Sequence, residues 1–326
     1  MNYLLSSGMI FRTEIHPDKP QQTIEHKDAL MFMGSCFAQN MGRAFSDAGF
    51  NSLINPFGVV FNPVSVSNSL RYILEDKLFT ESDLVYSNGL WHSWFHHGSF
   101  YSVNADDLLS ELNANLVSAR EFLKDAHYLV VTLGTAWVFQ HKTLGNIVTN
   151  CHKVPSIEFN RFRLRVDEIV ADWQNLLAEL KQFNPQLQVV FTVSPVRHLA
   201  DGAHGNQLSK ATLILAVNEL CELNNAQYFP AYELLLDDLR DYRFYDNDLV
   251  HPSDSAIDYI REKLFSIWLS PKSQQLAQEV IKLRKSAAHR PLHANSSEWD
   301  VFRKSIQNKA SALKTQHPYL AIDDIV

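Results

Sequence analysis

The sequence has little with which to cross-link itself. Its 326 residues hold three cysteines, Cys36, Cys151 and Cys221, an odd number with no CxxC pair. They give no basis for a disulfide framework or a thiolate zinc site. Long apolar runs are missing too, so no segment has the length to span a bilayer. The opening MNYLLSSGMIFRTEIH lacks the basic stretch and unbroken apolar core of a secretory leader. A reducing cytoplasm is the expected compartment, with no membrane partner. Net charge is -7 without a concentrated basic stripe, which argues against a nucleic-acid partner. No GxGxxG follows a strand and no GxxxxGK[ST] occurs, which disfavours NAD and ATP; no cofactor is expected. There is no internal repeat and no low-complexity tract.

What is present is a globular composition, 46% hydrophobic and 20% charged, enough for a large core. Apolar strand-like runs alternate with helical periods. Ala29–Met33, Phe50–Ile54, Tyr128–Leu133, Gln188–Val193 and Tyr228–Pro230 read as strands. Helices are expected over 35–49, 66–74, 106–125, 166–183, 206–224, 232–239 and 253–269. This alternation predicts an open, mostly parallel sheet covered by helices on both faces. Residues 1–27, with Pro17 and Pro20, read as an extended lead-in to a domain ending near residue 270. The stretch 79–104, rich in aromatics and histidine, reads as a loop or hairpin inserted over the site. From 271 to 326 a polar helical extension follows, broken at Pro291-Leu292-His293 and ending in a loose tail.

The organising stretch is Asp28–Gly49. A buried strand stops at Gly34, and a helix with apolar positions Phe37, Met41, Ala44, Phe45 and Ala48 begins after Ser35. Ser35 therefore stands at a strand's carboxyl end and a helix's amino end, where free N–H groups and the helix dipole favour negative charge. It is either a simple helix cap or a nucleophile. Far downstream, Asp248-Leu249-Val250-His251 sets a carboxylate three residues before a histidine, the spacing in which a carboxylate orients a general base. Cys36 is the competing nucleophile, although a small apolar role suits it better.

Several blocks occur in order: Gly34-Ser35-Cys36-Phe37-Ala38, Asn55-Pro56-Phe57-Gly58, Leu133-Gly134-Thr135-Ala136-Trp137, Asn150-Cys151-His152-Lys153, Ser194-Pro195-Val196-Arg197-His198 and Asp248-x-x-His251-Pro252. Together they closely resemble the GSCFA-domain proteins, a branch of the SGNH or GDSL hydrolase superfamily. The resemblance spans roughly residues 10 to 290. It implies a three-layer α/β/α sandwich, with Ser35 as nucleophile, His251 as base and then acid, and Asp248 orienting His251. It further implies that the Ser35 and Gly58 N–H groups form part of an oxyanion hole. One block departs from the superfamily. Where Gly-x-Asn is usual, this chain has Gly134-Thr135-Ala136, and Ala136 offers no side-chain donor. Thr135, through hydroxyl or N–H, and Asn150, through its amide, are the expected substitutes.

His96, His97, His152 and His198 flank these blocks, but no pair has the spacing of HExxH, so no metal is expected. His152 and His198 either hydrogen-bond loop carbonyls or contact substrate. Arg197 either clamps an anionic substrate group or makes a structural ion pair. The expected activity is hydrolysis of a small O-acyl ester, of an acetylated carbohydrate by superfamily analogy, through an acyl-enzyme. An O-acyltransferase with the same triad and a non-catalytic ligand-binding module are the alternatives. The missing Asn supports the last, and the intact Asp248-x-x-His251 argues against it. The oligomeric state is left open.

Overall fold

A computed structural model describes residues 12–224, 226–289 and 297–325. In chain order, β1 (Leu30–Gly34) leads into α1 (Cys36–Asp47), β2 (Ser52–Ile54) and α2 (Pro63–Glu75). The short strands β3 (Leu84–Ser87), β4 (Leu90–Ser93) and β5 (Tyr101–Ser102) precede α3 (Ala105–Asp125) and β6 (Tyr128–Leu133). Next come β7 (Trp137–His141), β8 (Ile147–Val148), β9 (Phe159–Arg163), α4 (Val166–Phe183), β10 (Gln188–Val193), α5 (Gly202–Asn224) and β11 (Gln227–Tyr228). A short α6 (Ala231–Glu233) widens into a π-helical turn over Leu234–Leu239, and α7 (Asp254–Trp268), α8 (Pro271–Ala287) and α9 (Ser297–Gln316) finish the chain.

The central sheet is parallel throughout, in the order β11-β10-β6-β1-β2. Its strands alternate between two buried sides, as a doubly covered sheet requires. Met31, Met33, Leu129, Val131 and Val193 pack with residues of α2 to α5, such as Leu70, Leu112, Trp173 and Leu213. Leu30, Phe32, Tyr128 and Val190 pack on the other side with Phe37 and Phe45 of α1 and Ile260 and Trp268 of α7. The fold is therefore a three-layer α/β/α sandwich. From β1 the chain first adds β2 on one side and then crosses to β6 on the other, so the order reverses between β1 and β6. Open sheets bind ligands in the crevice outside the strand ends at such a reversal. Ser35 follows β1 and Gly134 follows β6.

The 79–104 stretch is an antiparallel three-stranded sheet, β3-β4-β5, docked on the Asn55–Gly58 loop through the His97 N–H to the Phe57 carbonyl at 3.0 Å. A second small sheet, β8-β7-β9, has no counterpart in the sequence reading. The described part of the lead-in holds no helix or strand, bends at 21–22, turns at 26–27 and bridges Leu269 at Ile24; residues 1–11 and the Pro291-Leu292-His293 break lie outside the described residues.

The expected loose tail is instead packed. Leu320 and Ile322 are fully buried against α8 and α9, and the Ala321 N–H donates to the Gly49 carbonyl at 2.9 Å. The reason is that a few apolar residues in a polar segment find their partners only through tertiary contact. No helix among the described residues is long and apolar enough to cross a membrane.

Candidate active site

Ser35 caps α1: its Oγ accepts from the Phe37 N–H at 3.2 Å. The cap and the nucleophile readings are thus compatible. The same hydroxyl donates to Ser194 Oγ, just past β10, at 3.0 Å, and Ser35 is buried. It makes no hydrogen bond to His251. The structure does bring Asp248 and His251 together, with His251 Nδ1 and Asp248 Oδ2 2.6 Å apart. Asp248 Oδ1 also accepts the Val250 and His251 N–H groups at 2.8 and 2.9 Å. Chiefly these bonds, led by the His251 N–H, pull the Asp248 carboxyl down to about 2. The loop carrying the pair is fastened to the exit of β10 by the Arg197 N–H to the Val250 carbonyl at 3.1 Å.

The oxyanion donors expected from the sequence are engaged elsewhere. The Ser35 N–H donates to the Thr132 carbonyl at 3.1 Å, and the Gly58 N–H to the Asn55 carbonyl at 2.7 Å. Gly58 has φ +74°, and a Cβ there would lie 2.4 Å from His97 Cβ, so glycine serves backbone packing at this turn. The Gly134 and Thr135 N–H groups both go to the Phe61 carbonyl, and the Thr135 hydroxyl pairs with Ser209. Asn150 accepts from the His152 N–H, and its Nδ2 lies against Gly98 of the inserted sheet.

Among the buried side-chain nitrogens of the described residues that have no hydrogen-bond partner are Asn55 Nδ2 and His198 Nε2. The Asn55 amide is anchored at the turn itself, since its Oδ1 accepts the Gly34 N–H at 2.9 Å. His198 Nε2 stands 3.1 Å from where a Gly134 Cβ would be. The pair therefore flanks the reversal point from β1 and from β6. Burial, then the Lys210 charge, holds the His198 imidazole down at about 4, so it is neutral and carries a proton on one nitrogen. His198 Nε2 thus lies by the exit of β6 and is not bonded to a loop carbonyl.

Three further histidines are engaged elsewhere. His96 is buried, stacks on Phe57 and bonds Ser93. His152 Nε2 lies 2.7 Å from the Ser93 carbonyl, with its ring on His92. His97 pairs locally with Ser99. Arg197 is half-buried over the Tyr245 ring and pairs with no carboxylate among the described residues. Cys36 is half-buried, and burial raises its thiol, the opposite of an activated nucleophile. Among the described residues no three His, Cys, Asp or Glu side chains gather as a metal site.

Lys210 of α5 escaped the sequence reading. Its ammonium is fully buried and donates to the Gly134 carbonyl at 2.6 Å and the Ser194 carbonyl at 2.7 Å, bracing the exits of β6 and β10 beneath Ser35. Burial drives it down to about 7. The signal was its position in the apolar stripe Leu213, Val217 and Leu220 of α5.

These depressed bases fix the pH dependence of stability. His96, held by burial at about 3, and His152 and His198, at about 4, stay neutral when folded, while the unfolded rings protonate near 6.5. The unfolded chain thus binds more protons between those limits, and stability falls as pH drops from about 6.5 to 4, by about 1.4 kcal/mol per pH unit and ring. Lys210 acts with the same sign between about 7 and its ordinary 10.5. Urea midpoints from pH 4 to 9 should rise throughout, and in Lys210→Met the gain above pH 7 should shrink. A wild-type curve flat below pH 6 would contradict the neutral buried rings.

Comparison with known proteins supplies the relatives. Among solved structures the chain is similar to a protein described as a GDSL-like lipase from Parabacteroides merdae, with 12% identity, TM-score 0.40, 79% of this chain and 100% of that chain covered. It is also similar to a protein described as an acylhydrolase from Bacteroides fragilis, with 11% identity, TM-score 0.36, and 80% and 91% covered. A third is an acetyl xylan esterase from Butyrivibrio proteoclasticus, with 13% identity, TM-score 0.34, and 81% and 66% covered. A search of curated proteins gives no match. The GSCFA domain protein C-terminal domain matches residues 280–325. The GSCFA family matches residues 29–264, which hold Ser35, His198, Lys210, Asp248 and His251, and the chain belongs to that family.

Proposed function

We propose that the chain is an SGNH-type serine hydrolase that cleaves a small O-acyl ester, such as an O-acetylated carbohydrate. The observation that carries this reading is the Asp248–His251 pair at 2.6 Å, oriented on a loop bonded to the strand exit that also holds Ser194. An imidazole held by a carboxylate through Nδ1 is what a general base needs and a passive pocket does not require.

In the first half-reaction Ser35 Oγ leaves Ser194 and attacks the ester carbonyl carbon while His251 Nε2 takes its proton. The carbonyl oxygen, now negative, is met by Asn55 Nδ2 and His198 Nε2, which replace the absent Gly-x-Asn donor. Each such donor is worth about 2.7–4 kcal/mol in the transition state. Collapse expels the alcohol with the proton from His251 and leaves an acyl-Ser35. Water then adds, giving its proton to His251, and His251 returns that proton to Ser35 Oγ as the acyl–Oγ bond breaks and the acid leaves. An alcohol acceptor in place of water would make the same site an O-acyltransferase.

The engaged Ser35 and Gly58 N–H groups favour a second reading, a ligand-binding module without turnover. A fluorophosphonate distinguishes the two by intact mass. A single adduct on wild type, lost in Ser35→Ala, supports the hydrolase. Folded wild type that takes up no adduct supports the binding module, and an adduct that survives Ser35→Ala but not Cys36→Ala moves the nucleophile to Cys36.

A further inference from the structure

Past the exit of β10 lies a cleft of about 230 Å³ whose lining includes Arg197, Tyr232, Arg240, Asp241, Tyr242 and Tyr245. It is smaller than the usual drug-sized pocket of about 300–1,000 Å³, which suits a single ring. Both of its ends are tied to the catalytic loop. The Arg197 N–H bonds the carbonyl of Val250, the neighbour of His251, and Tyr245 bridges to Pro252 on the other side of that histidine. A group held in the cleft is thus held next to the base.

Its charges do not cancel. Among the described residues neither the Arg197 nor the Arg240 guanidinium has a carboxylate within ion-pair distance; Arg197 reaches only the Leu249 carbonyl, at 3.5 Å. The one acid on the rim, Asp241, is occupied by Arg243, through its N–H at 2.9 Å and its side chain at 3.9 Å. Arg240 is carried to the rim by the end of the π-helical turn, where it adopts φ 34°. Tyr242 is 67% exposed, and Tyr245 lies under the Arg197 guanidinium with 5.8 Å to the ring centroid. Aromatic faces suit a ring, and guanidiniums suit planar or tetrahedral oxyanions.

We propose that this cleft binds an acidic sugar-like part of the substrate, its carboxylate or phosphate between Arg197 and Arg240 and its ring against Tyr242 and Tyr245. As a statement about substrate it rests on the hydrolase reading, yet the binding is measurable without turnover. Glucuronate, glucose 6-phosphate and glucose would be titrated into the full-length protein by calorimetry, alongside Arg197→Gln, Arg240→Gln and the double variant, each checked for an unchanged melting midpoint.

One or both acidic sugars should bind at least about tenfold more tightly than glucose, and each single variant should lower that preference several-fold. Preference for glucuronate alone assigns a carboxylate, and preference for glucose 6-phosphate alone assigns a phosphate. Equal binding of all three sugars, binding of none, or an undiminished preference in the double variant overturns the inference. If acidic sugars bind as stated while fluorophosphonate labelling fails, the cleft stands and the hydrolase reading falls.

Discussion

His251→Ala is expected to lower ester turnover by about 10⁴- to 10⁶-fold, and Asp248→Asn by about 10⁴-fold, with KM changing far less. The size follows from what each group does. A serine hydroxyl is a poor nucleophile unless its proton is taken as the bond forms, and in a triad removing the orienting carboxylate costs about four orders of magnitude and removing the base up to about six. Asp248 Oδ2 fixes the imidazole through Nδ1, leaving Nε2 to act. An asparagine could present its NH2 there instead and stabilise the wrong tautomer. The Ser35–Ser194 hydrogen bond does not stand in the way. A neutral hydroxyl pair is worth about 0.5–1.5 kcal/mol net, so exchanging Ser194 for His251 costs at most about one order of magnitude against the four or more at stake. Steady-state rates on an acetylated sugar decide it: a His251→Ala protein within tenfold of wild type would remove His251 from the mechanism.

The elements around Ser35 were legible because local rules agree there. Ala29–Met33 is too short and too uniformly apolar for anything but a buried strand, and the strand runs Leu30–Gly34 with α1 from Cys36 to Asp47. The same logic recovered β6, β10 and α3. It failed for β7, β8 and β9, whose residues Trp137–His141, Ile147–Val148 and Phe159–Arg163 are short and mix polar with apolar side chains. It also failed after β11, where eight residues cannot distinguish an α-helix from one that widens into a π-helical turn.

Within the site, Asp248 and His251 were readable because they are three residues apart. Ser35 and Ser194 are 159 apart, and no spacing rule joins them. That the expected oxyanion donors are engaged was hidden for a related reason. Whether an N–H is free depends on which carbonyl the sheet register or a local turn brings to it: Thr132 claims that of Ser35 across the sheet, and Asn55 that of Gly58 within the turn.

Gly34→Ala should destabilise the fold by about 4 kcal/mol or more, a range reserved for disruptions that cannot relax. Gly34 has φ +137°, and a Cβ built on it would fall 2.1 Å from the Thr132 carbonyl oxygen and 2.8 and 2.9 Å from the Thr132 carbonyl carbon and nitrogen. These are backbone atoms of a central strand. Thr132 pairs with Gly34 on one side and Thr192 on the other, so β6 cannot retreat without breaking its register with β10. The struck oxygen is also the one that accepts the Ser35 N–H. The methyl would therefore prise apart β1 and β6 at the point where Ser35 is aimed. Gly89 provides the contrast: its φ is also positive, at +83°, but a Cβ there meets nothing within 4 Å. Its substitution by alanine carries only the conformational cost, about 1 kcal/mol. Urea denaturation of the two variants separates steric from conformational loss. Should Gly34→Ala unfold at the midpoint of Gly89→Ala and still accept fluorophosphonate on Ser35, the close approach of β1 to β6 would not be what positions the nucleophile.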